Sequence, residues 1–357
     1  TGNISWGLKS PDIEDLKDLT IWVWTESLWA PITFTRAALS EDANNGGSRY
    51  SSDEWRDWWC SDDAAVYQFI GQDNIFFYCI VQNPLWDALD WGLITDTPVA
   101  NYHILFMNKK ASSSGAIKPP MAEELLEFYT PEQLRAHWLS LGLDQRAVSF
   151  SPKAFDTSVS RKGKDGEPDL LVKDDPRVVD PALKESAFLT NIFNRMARSC
   201  LYGAANACGG HLPISEPHQE VIDAAQEVLL KYEQLAYGFD AHSALAAVDE
   251  YARAENKRWG EASKAAQGND EAYDQALADA FYALKTITLL MHPAVPEGCE
   301  RIADALNFPH EEFFSWENAF MGPKELAAKL GQSAEEHQLE ELPPRFDFFK
   351  AHPSQKN

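Results

Sequence analysis

Residues Lys110-Ala111-Ser112-Ser113-Ser114-Gly115 place one cation beside three hydroxyls and end on a glycine. Taken alone, a six-residue Lys/Ser/Gly run is a flexible surface loop. It follows a predicted strand, Tyr102–Met107, and ligands of parallel sheets bind beyond the carboxyl ends of strands. A second candidate set, Gly71-Gln72-Asp73-Asn74, follows another predicted strand in the same way. Asp73 and Asn74 could instead cap the helix that opens there. The histidines, among them His103, His211 and His292, form no cluster, so no metal is assigned to them. The cysteines, Cys60, Cys79, Cys200, Cys208 and Cys299, include no Cys-x-x-Cys pair and read as reduced, mostly buried thiols of a cytosolic protein.

The elements that must carry these residues alternate. Leu19–Trp24 reads as a strand of β-branched and aromatic residues. Residues 40–53 read as a loop and Trp55–Trp59 as a short aromatic helix or turn. Val66–Ile70 is a second strand, ending at Gly71, and a helix opens over Asp73–Leu85. Tyr102–Met107 is the third strand. Strand–helix–strand alternation predicts a parallel sheet covered by helices. Thr130-Pro131-Glu132 then starts a helix with a threonine cap and proline in its first turn. Leu134, Trp138 and Leu141 should line its inner face. Residues 157–176, rich in Lys, Gly, Asp and Ser, read as a loop or mobile insertion.

From Pro181 onward the apolar spacing is helical. Leu189, Ile192, Phe193 and Met196 form one stripe. Val221, Ala224, Ala225, Val228 and Leu229 form another; Leu245, Val248 and Tyr251 a third; Phe281, Leu284, Ile287 and Leu290 a fourth. Such stripes predict a helical bundle. The tail after Leu342 either packs as a strap or frays. The fold class is therefore α/β plus all-α. The expected division is residues 1–128, a connecting segment 129–180, a bundle 181–342 and a tail 343–357.

The chain has 357 residues, net charge −24 and a pI near 4.7. A nucleic-acid binder needs a basic footprint to replace phosphate counterions, and no dense Lys/Arg stripe is present. No run of 18 apolar residues exists to span a membrane. Thr1-Gly2-Asn3-Ile4 lacks a signal peptide's basic and apolar regions, so the expectation is cytoplasmic. The missing initiator Met reads as a processed chain or a fragment.

These pieces, in this order, resemble the C-terminal two-thirds of methionyl-tRNA synthetase, a class I synthetase. Ile21-Trp-Val-Trp24-Thr-Glu26-Ser27 looks like the family's Tyr-Val-Trp-Phe-Asp-Ala-Pro block. Tyr67-Gln-Phe-Ile-Gly71-Gln-Asp73-Asn74-Ile-Phe-Phe-Tyr78 looks like its His-Phe-Ile-Gly-Lys-Asp block. Lys110–Gly115 looks like the Lys-Met-Ser-Lys-Ser loop, and Met291-His-Pro293-Ala-Val-Pro296 like a late bundle turn. The resemblance implies the C-terminal half of a Rossmann-like catalytic domain followed by an anticodon-binding-type bundle. It implies ATP and Mg2+ as cofactors. Lys110, Ser112 and Ser114 would be catalytic at the ATP phosphates, with Gly71, Asp73, His103 and Gly115 binding the nucleotide. Trp24, Ser27, Asn74 and Tyr78 would shape the amino-acid pocket.

The departures are as informative. Ser113 stands where the family's second loop lysine supplies positive charge. No His-x-Gly-His is present, so a complementary N-terminal half is expected, as a separate chain or as further residues. Asn74 and Ser27 replace apolar residues and Tyr78 replaces a histidine, which predicts a small or polar amino acid rather than methionine. Asn194 and Arg198 keep the spacing of the family's anticodon-reading pair. Trp259 matches a stacking tryptophan but reads first as a packed aromatic.

The resemblance thus implies a ligase that activates an amino acid as its adenylate and passes it to a small-molecule acceptor, with tRNA not expected. One setting is hydrazine-forming natural-product enzymes, where such a module joins an amino acid to an N-hydroxylated acceptor beside a cupin domain. A divergent or split methionyl-tRNA synthetase and a non-catalytic scaffold are the alternatives.

Overall fold

A computed structural model describes residues 6–21, 23–47, 49–93, 97–110, 118–155, 160–162, 168–170 and 180–355. The chain divides into two compact units, Thr1–His103 and Ile104–Asn357. The expected four-part scheme draws no boundary there. The cut falls just before Ile104–Phe106, which pairs with Val148–Phe150.

Unit 1 holds helices α1 (Trp24–Ser27), α2 (Ala30–Asn44) and α3 (Trp55–Trp59), then strand β1 (Tyr67–Gly71). A 3-10 turn, Gln72–Asn74, leads into a π-helix, Phe76–Gln82, which continues as α4 (Asn83–Leu89). Strand β2 (Thr97–Asn101) then pairs parallel with β1, Tyr67 opposite Thr97 and Gly71 opposite Asn101. A parallel pair is present, but of the three strands expected in it only the one near Val66–Ile70 takes part, and β2 lay outside the expected elements. Pro98 inside it argues against a strand, and is tolerated because a two-stranded sheet consists only of edges.

The strand expected over Leu19–Trp24 does not form. Thr20 makes a single bridge to Lys9, and Trp24 already begins α1. Strand propensity is realised only by packing and ladder partners, and Val23 stays 57% exposed. The predicted loop 40–53 begins later, because α2 runs to Asn44. The core of unit 1 is aromatic: Trp59 and Trp86 pack edge to face at 5.7 Å beside Ile32, and Trp29 and Trp55 flank them.

Unit 2 opens with β3 (Ile104–Phe106), shorter than the predicted 102–107, and β4 (Lys109–Lys110). After α5 (Ala122–Leu126) and α6 (Pro131–Leu139) comes β5 (Val148–Phe150), giving a sheet ordered β4-β3-β5. The start of α6 follows the sequence closely. The Gln133 amide donates to Thr130 Oγ1 at 3.3 Å, and the Thr130 amide donates to Gln133 Oε1 at 3.0 Å, a reciprocal capping box. Within the predicted loop 157–176, β6 (Ser160–Lys162) and β7 (Pro168–Leu170) pair antiparallel.

The bundle comprises α7 (Asn194–Ala207), α8 (Gln219–Tyr237), α9 (Ala241–Ala265), α10 (Asp270–Met291) and α11 (Pro296–Ala305), with shorter α12 (His310–Phe313) and α13 (Pro323–Lys329). Every residue of α10 from Ala276 to Met291 is buried, so it is the central helix. The four predicted stripes lie in or against one continuous core. The tail packs as a strap. Tyr202 Oη donates to the Pro343 carbonyl at 2.8 Å, Arg301 to that of Phe348 at 2.6 Å, and Gln355 to that of Phe128 at 2.8 Å. The Phe349 ring lies so close over Gly298 that an added Cβ would sit 2.1 Å from it.

Candidate active site and bundle face

In unit 1 the expected pocket residues Trp24 and Tyr78 are brought together. The Trp24 ring stacks on Phe77 at 3.9 Å with 3° between planes, and Tyr78 meets it edge-on at 6.4 Å. The stack covers one face of the indole. Ser27 Oγ donates to the Val23 carbonyl at 2.9 Å, one turn back on the same segment. A hydroxyl bonded this way bends the backbone rather than waiting free for a substrate.

The turn after β1 is where backbone geometry constrains sequence. A Cβ added at Gly71 would lie 2.8 Å from Asp73 Oδ1 and 3.9 Å from Asn74 Nδ2. Both side chains thus fold back over the strand end, where a parallel sheet presents its ligand face. The 3-10 turn is preceded by Gly71 with no side-chain cap bond, and the π-helix by Ile75, also uncapped. Neither Asp73 nor Asn74 acts as the helix cap that the sequence offered as their alternative role. Asp73 is exposed and Asn74 half-buried, and both remain available to polar ligand groups. The expected helix 73–85 therefore starts as a 3-10 turn, widens into a π-helix and ends at Leu89. π-turns recur at functional sites.

A buried polar chain holds this arrangement, and the sequence did not announce it. Gln68 Nε2 donates to Gln82 Oε1 at 2.7 Å, and Gln82 Nε2 donates to the Leu28 carbonyl at 3.0 Å. It ties β1, the π-helix and the segment after α1 together. The alternation of β1 is inverted: Gln68 points inward, while Tyr67 and Phe69 are 53% and 67% exposed. On the π-helix, Phe76 and Ile80 are exposed as well. The only available signal was a glutamine between two aromatics in a strand.

His103, half-buried, closes unit 1 just before β3. In unit 2, Lys110 is exposed at the end of β4, opposite Leu105. Ser112, Ser114 and Gly115, with the rest of 111–117, lie outside the described residues. The side chain of Glu26 also lies outside them.

The bundle face differs from the expectation. Asn194 is buried and bonded at both ends of its amide: its Nδ2 donates to Asp347 Oδ1 at 2.8 Å, and its Oδ1 accepts the Phe348 amide at 2.8 Å. Arg198 donates to the same Asp347 oxygen at 2.7 Å and to the Phe346 carbonyl at 3.3 Å. The strap thus occupies both side chains. Trp259 is the packed aromatic its first reading predicted: buried, with Nε1 donating to Ser199 Oγ at 2.7 Å and its ring against Tyr273.

Among the described residues no group of three or more His, Cys, Asp or Glu is placed to hold a metal, and no helix is long and apolar enough to cross a membrane.

Residues 1–162 match the family of class I (M) tRNA synthetases. Curated relatives extend further along the chain. The methionine–tRNA ligase of Methanoculleus marisnigri is 24% identical over 315 residues, 86% of this chain and 41% of that protein. That of Methanococcoides burtonii is 25% identical over 84% of this chain and 38% of its own. A crystal structure of Mycobacterium tuberculosis methionyl-tRNA synthetase bound by methionyl-adenylate superposes with a TM-score of 0.65 at 18% identity. It is matched over 98% of this chain and 59% of that one, which establishes the likeness of fold. The chain spans well under half the length of the curated relatives, the 41% and 38% that correspond to their C-terminal region. Residues 1–162 are thus similar to class I (M) tRNA synthetases, and over most of its length the chain resembles part of methionine–tRNA ligases and shares their fold.

Proposed function

We propose that this chain is the C-terminal part of an ATP-dependent ligase that activates a small or polar amino acid as its adenylate and transfers it to an acceptor other than tRNA. The occupied bundle face carries this reading. Asn194 and Arg198 are spent on the strap at Asp347, and Trp259 is packed inside. The residues that would read an anticodon are therefore not presented. A net charge of −24 adds repulsion against a polyanion. An N-hydroxylated amino acid is an acceptor that fits.

The residues assigned to the reaction keep the roles the resemblance gives them. In unit 1, Trp24, Ser27, Asn74 and Tyr78 shape the side-chain pocket, and the exposed carboxylate of Asp73 over Gly71 meets a ribose hydroxyl or an ammonium group. That Asp73 lies where a Cβ on Gly71 would intrude fits a strand end kept open for a ligand. His103 belongs to the nucleotide side. In unit 2, Lys110 carries positive charge for the phosphates, with Ser112, Ser114 and Gly115 of its loop. ATP supplies the leaving pyrophosphate when bound, and magnesium accompanies it.

Tyr67 and Phe69 are exposed on a two-stranded parallel sheet, and Phe76 and Ile80 on the π-helix that follows it. Parallel sheets are stable when both faces are covered. A complementary N-terminal synthetase half, on this polypeptide or another, would cover them. A cupin domain is a further partner of this kind of module.

The test is ATP–pyrophosphate exchange by the protein together with that half, screened over the amino acids. Exchange driven by a small or polar amino acid without tRNA charging supports the proposal; silence with every amino acid removes it. In the same assay Lys110→Ala should slow exchange roughly 10²–10³-fold, the usual cost of one charge-stabilising donor, with the circular dichroism of the bundle unchanged.

A second reading, methionine activation and tRNA charging, is favoured by the names of the relatives that match 84–86% of this chain. Methionine-dependent exchange with tRNA charging would establish it.

A further inference from the structure

Unit 2 carries a groove between α8 and residues 316–325. At its centre is a cavity of about 160 Å³, floored by the buried Leu212, Phe281 and Tyr282 and walled by Ile222 and Gln226 of α8 and by Phe320. A cavity of about 150 Å³ with aliphatic and aromatic walls admits benzene, so this one suits a single leucine or phenylalanine side chain. The far wall is fixed. Tyr282 Oη donates to the Phe320 carbonyl at 2.8 Å, and the Tyr282 ring packs so closely on Gly322 that an added Cβ would sit 2.5 Å away. Trp316 Nε1 donates to Glu233 Oε1 at 2.9 Å, which ties that wall back to α8. Phe320, Trp316 and, on α8, Leu230 remain exposed.

Gln226 lines this cavity half-buried, and its carboxamide makes no hydrogen bond to any described residue. A carboxamide offers a donor and an acceptor side by side, the complement of a peptide unit. In a helix those backbone groups are bonded to one another. An extended chain keeps them free for a partner, so Gln226 favours an extended segment over a helical one. The charge along the groove is negative. Glu216 and Glu325 line it with Lys324, whose amine is held by the Ile214 carbonyl and by Glu216 Oε1, each at 2.5 Å. Asp223 and Glu227, exposed on α8 beside Ile222 and Gln226, are followed by Lys231. Such an excess of carboxylates attracts cations and repels anions.

We propose that this groove docks an extended, cationic segment of a partner protein. One leucine or phenylalanine side chain fills the cavity, the adjoining peptide unit pairs with Gln226, and lysine or arginine on either side faces Glu216 and Asp223. An apolar anchor gives such docking its affinity, and the main-chain bond and the flanking charges give it register and specificity.

Fluorescence anisotropy of the full chain with fluorescein-labelled peptides Gly-Lys-Pro-Lys-X-Lys-Pro-Gly tests the groove, the prolines excluding a helix and X being Leu, Phe, Ala or Glu. Saturable binding is expected for Leu and Phe and none for Glu. The Ala peptide should bind at least about tenfold more weakly than the Leu peptide, because it buries less apolar surface. Gln226→Ala should weaken the Leu peptide by up to about tenfold, the worth of one net hydrogen bond. Ile222→Trp, which fills the cavity, should abolish binding with α-helical circular dichroism preserved. Met121→Ala, exposed elsewhere on unit 2, should leave it unchanged. Equal binding of the Leu, Ala and Glu peptides, indifference to both α8 variants, tighter binding when alanines replace the prolines, or no saturation at millimolar peptide would each overturn the proposal.

Discussion

The two units reach order by different routes. Unit 2 buries a long apolar helix, α10, on all sides, and its stripes merge into one core. Unit 1 is built on tryptophans and a two-residue-wide polar chain, Gln68–Gln82, and leaves Phe34, Phe69, Phe76 and Ile80 largely exposed. A closed core is self-sufficient because apolar burial scales with area removed from water. An open one keeps surface in reserve. The bundle therefore has a closed core of its own, while unit 1 leaves an apolar face open to solvent.

The sharpest way to break this contrast is to cut into the closed core. Phe281→Ala in α10 should cost about 3–5 kcal/mol, the usual loss for a buried phenylalanine. Urea unfolding followed by α-helical circular dichroism should show it. Indole fluorescence reports the other unit, since nine of the twelve tryptophans precede residue 104. A simultaneous shift of both signals by the same amount would show that the units do not differ in the way described.

Next in size is a pH effect confined to the bundle. Lys285 is wholly buried and donates to the Asn318 and Ala319 carbonyls at 2.5 and 3.1 Å. Burial pulls its amine down to about 7, with Glu325 acting in the opposite direction. A neutral amine still has two N–H groups for two carbonyls. The unfolded lysine keeps its ordinary value of 10.5, so between pH 7 and 10.5 the unfolded chain binds the extra proton. Bundle stability should accordingly rise with pH through that window, by a few kcal/mol, and be flat in this respect below pH 7. Lys285→Met should remove the rise in denaturation curves taken across the window.

A smaller effect separates the strap from the core. Gly298→Ala drives a methyl into the Phe349 ring and should cost about 1–3 kcal/mol through displacement of the tail. Limited proteolysis beyond Leu342 should accelerate; equal resistance would mean that the strap is held by its hydrogen bonds to Asn194, Arg198, Tyr202 and Arg301 rather than by the Phe349 ring. The smallest change lies in unit 1. Trp86 Nε1 is buried without a partner among the described residues, so Trp86→Phe sheds an unmet donor while losing ring area. We expect near-neutrality, within about 1 kcal/mol, by fluorescence-detected unfolding. A loss comparable to Phe281→Ala would show a core as closed as that of the bundle.

The same contrast explains what the sequence disclosed. Helical stripes such as Phe281, Leu284, Ile287 and Leu290 are written in the spacing because one face of each helix meets the core. The Thr130–Gln133 capping box was legible because its bonds are local. The Leu19–Trp24 strand misled because its pairing stops at one bridge, Thr20 to Lys9, before α1 begins at Trp24, and β2 was hidden by Pro98. Gln68 and Gln82 were invisible because their bond joins positions fourteen residues apart. At the candidate site, Trp24 and Tyr78 do come together and Asp73 and Asn74 do cover Gly71. The engagement of Asn194 and Arg198 by Asp347 was not readable, since nothing in their four-residue spacing tells a strap from a ligand.

The π-helix at Phe76–Gln82 gives unit 1 a frame that tolerates no slippage. An α-helix advances 100° per residue, so removing one residue would let the segment rewind into a regular helix. Everything beyond the cut would turn by about a quarter revolution. Gln82 would swing away from Gln68 and Leu28, while Tyr78 and Trp24 would lose their common corner. Substitutions along this stretch can be absorbed one side chain at a time. A one-residue deletion would put the two ends of the stretch out of phase, so length is inherited there more strictly than identity.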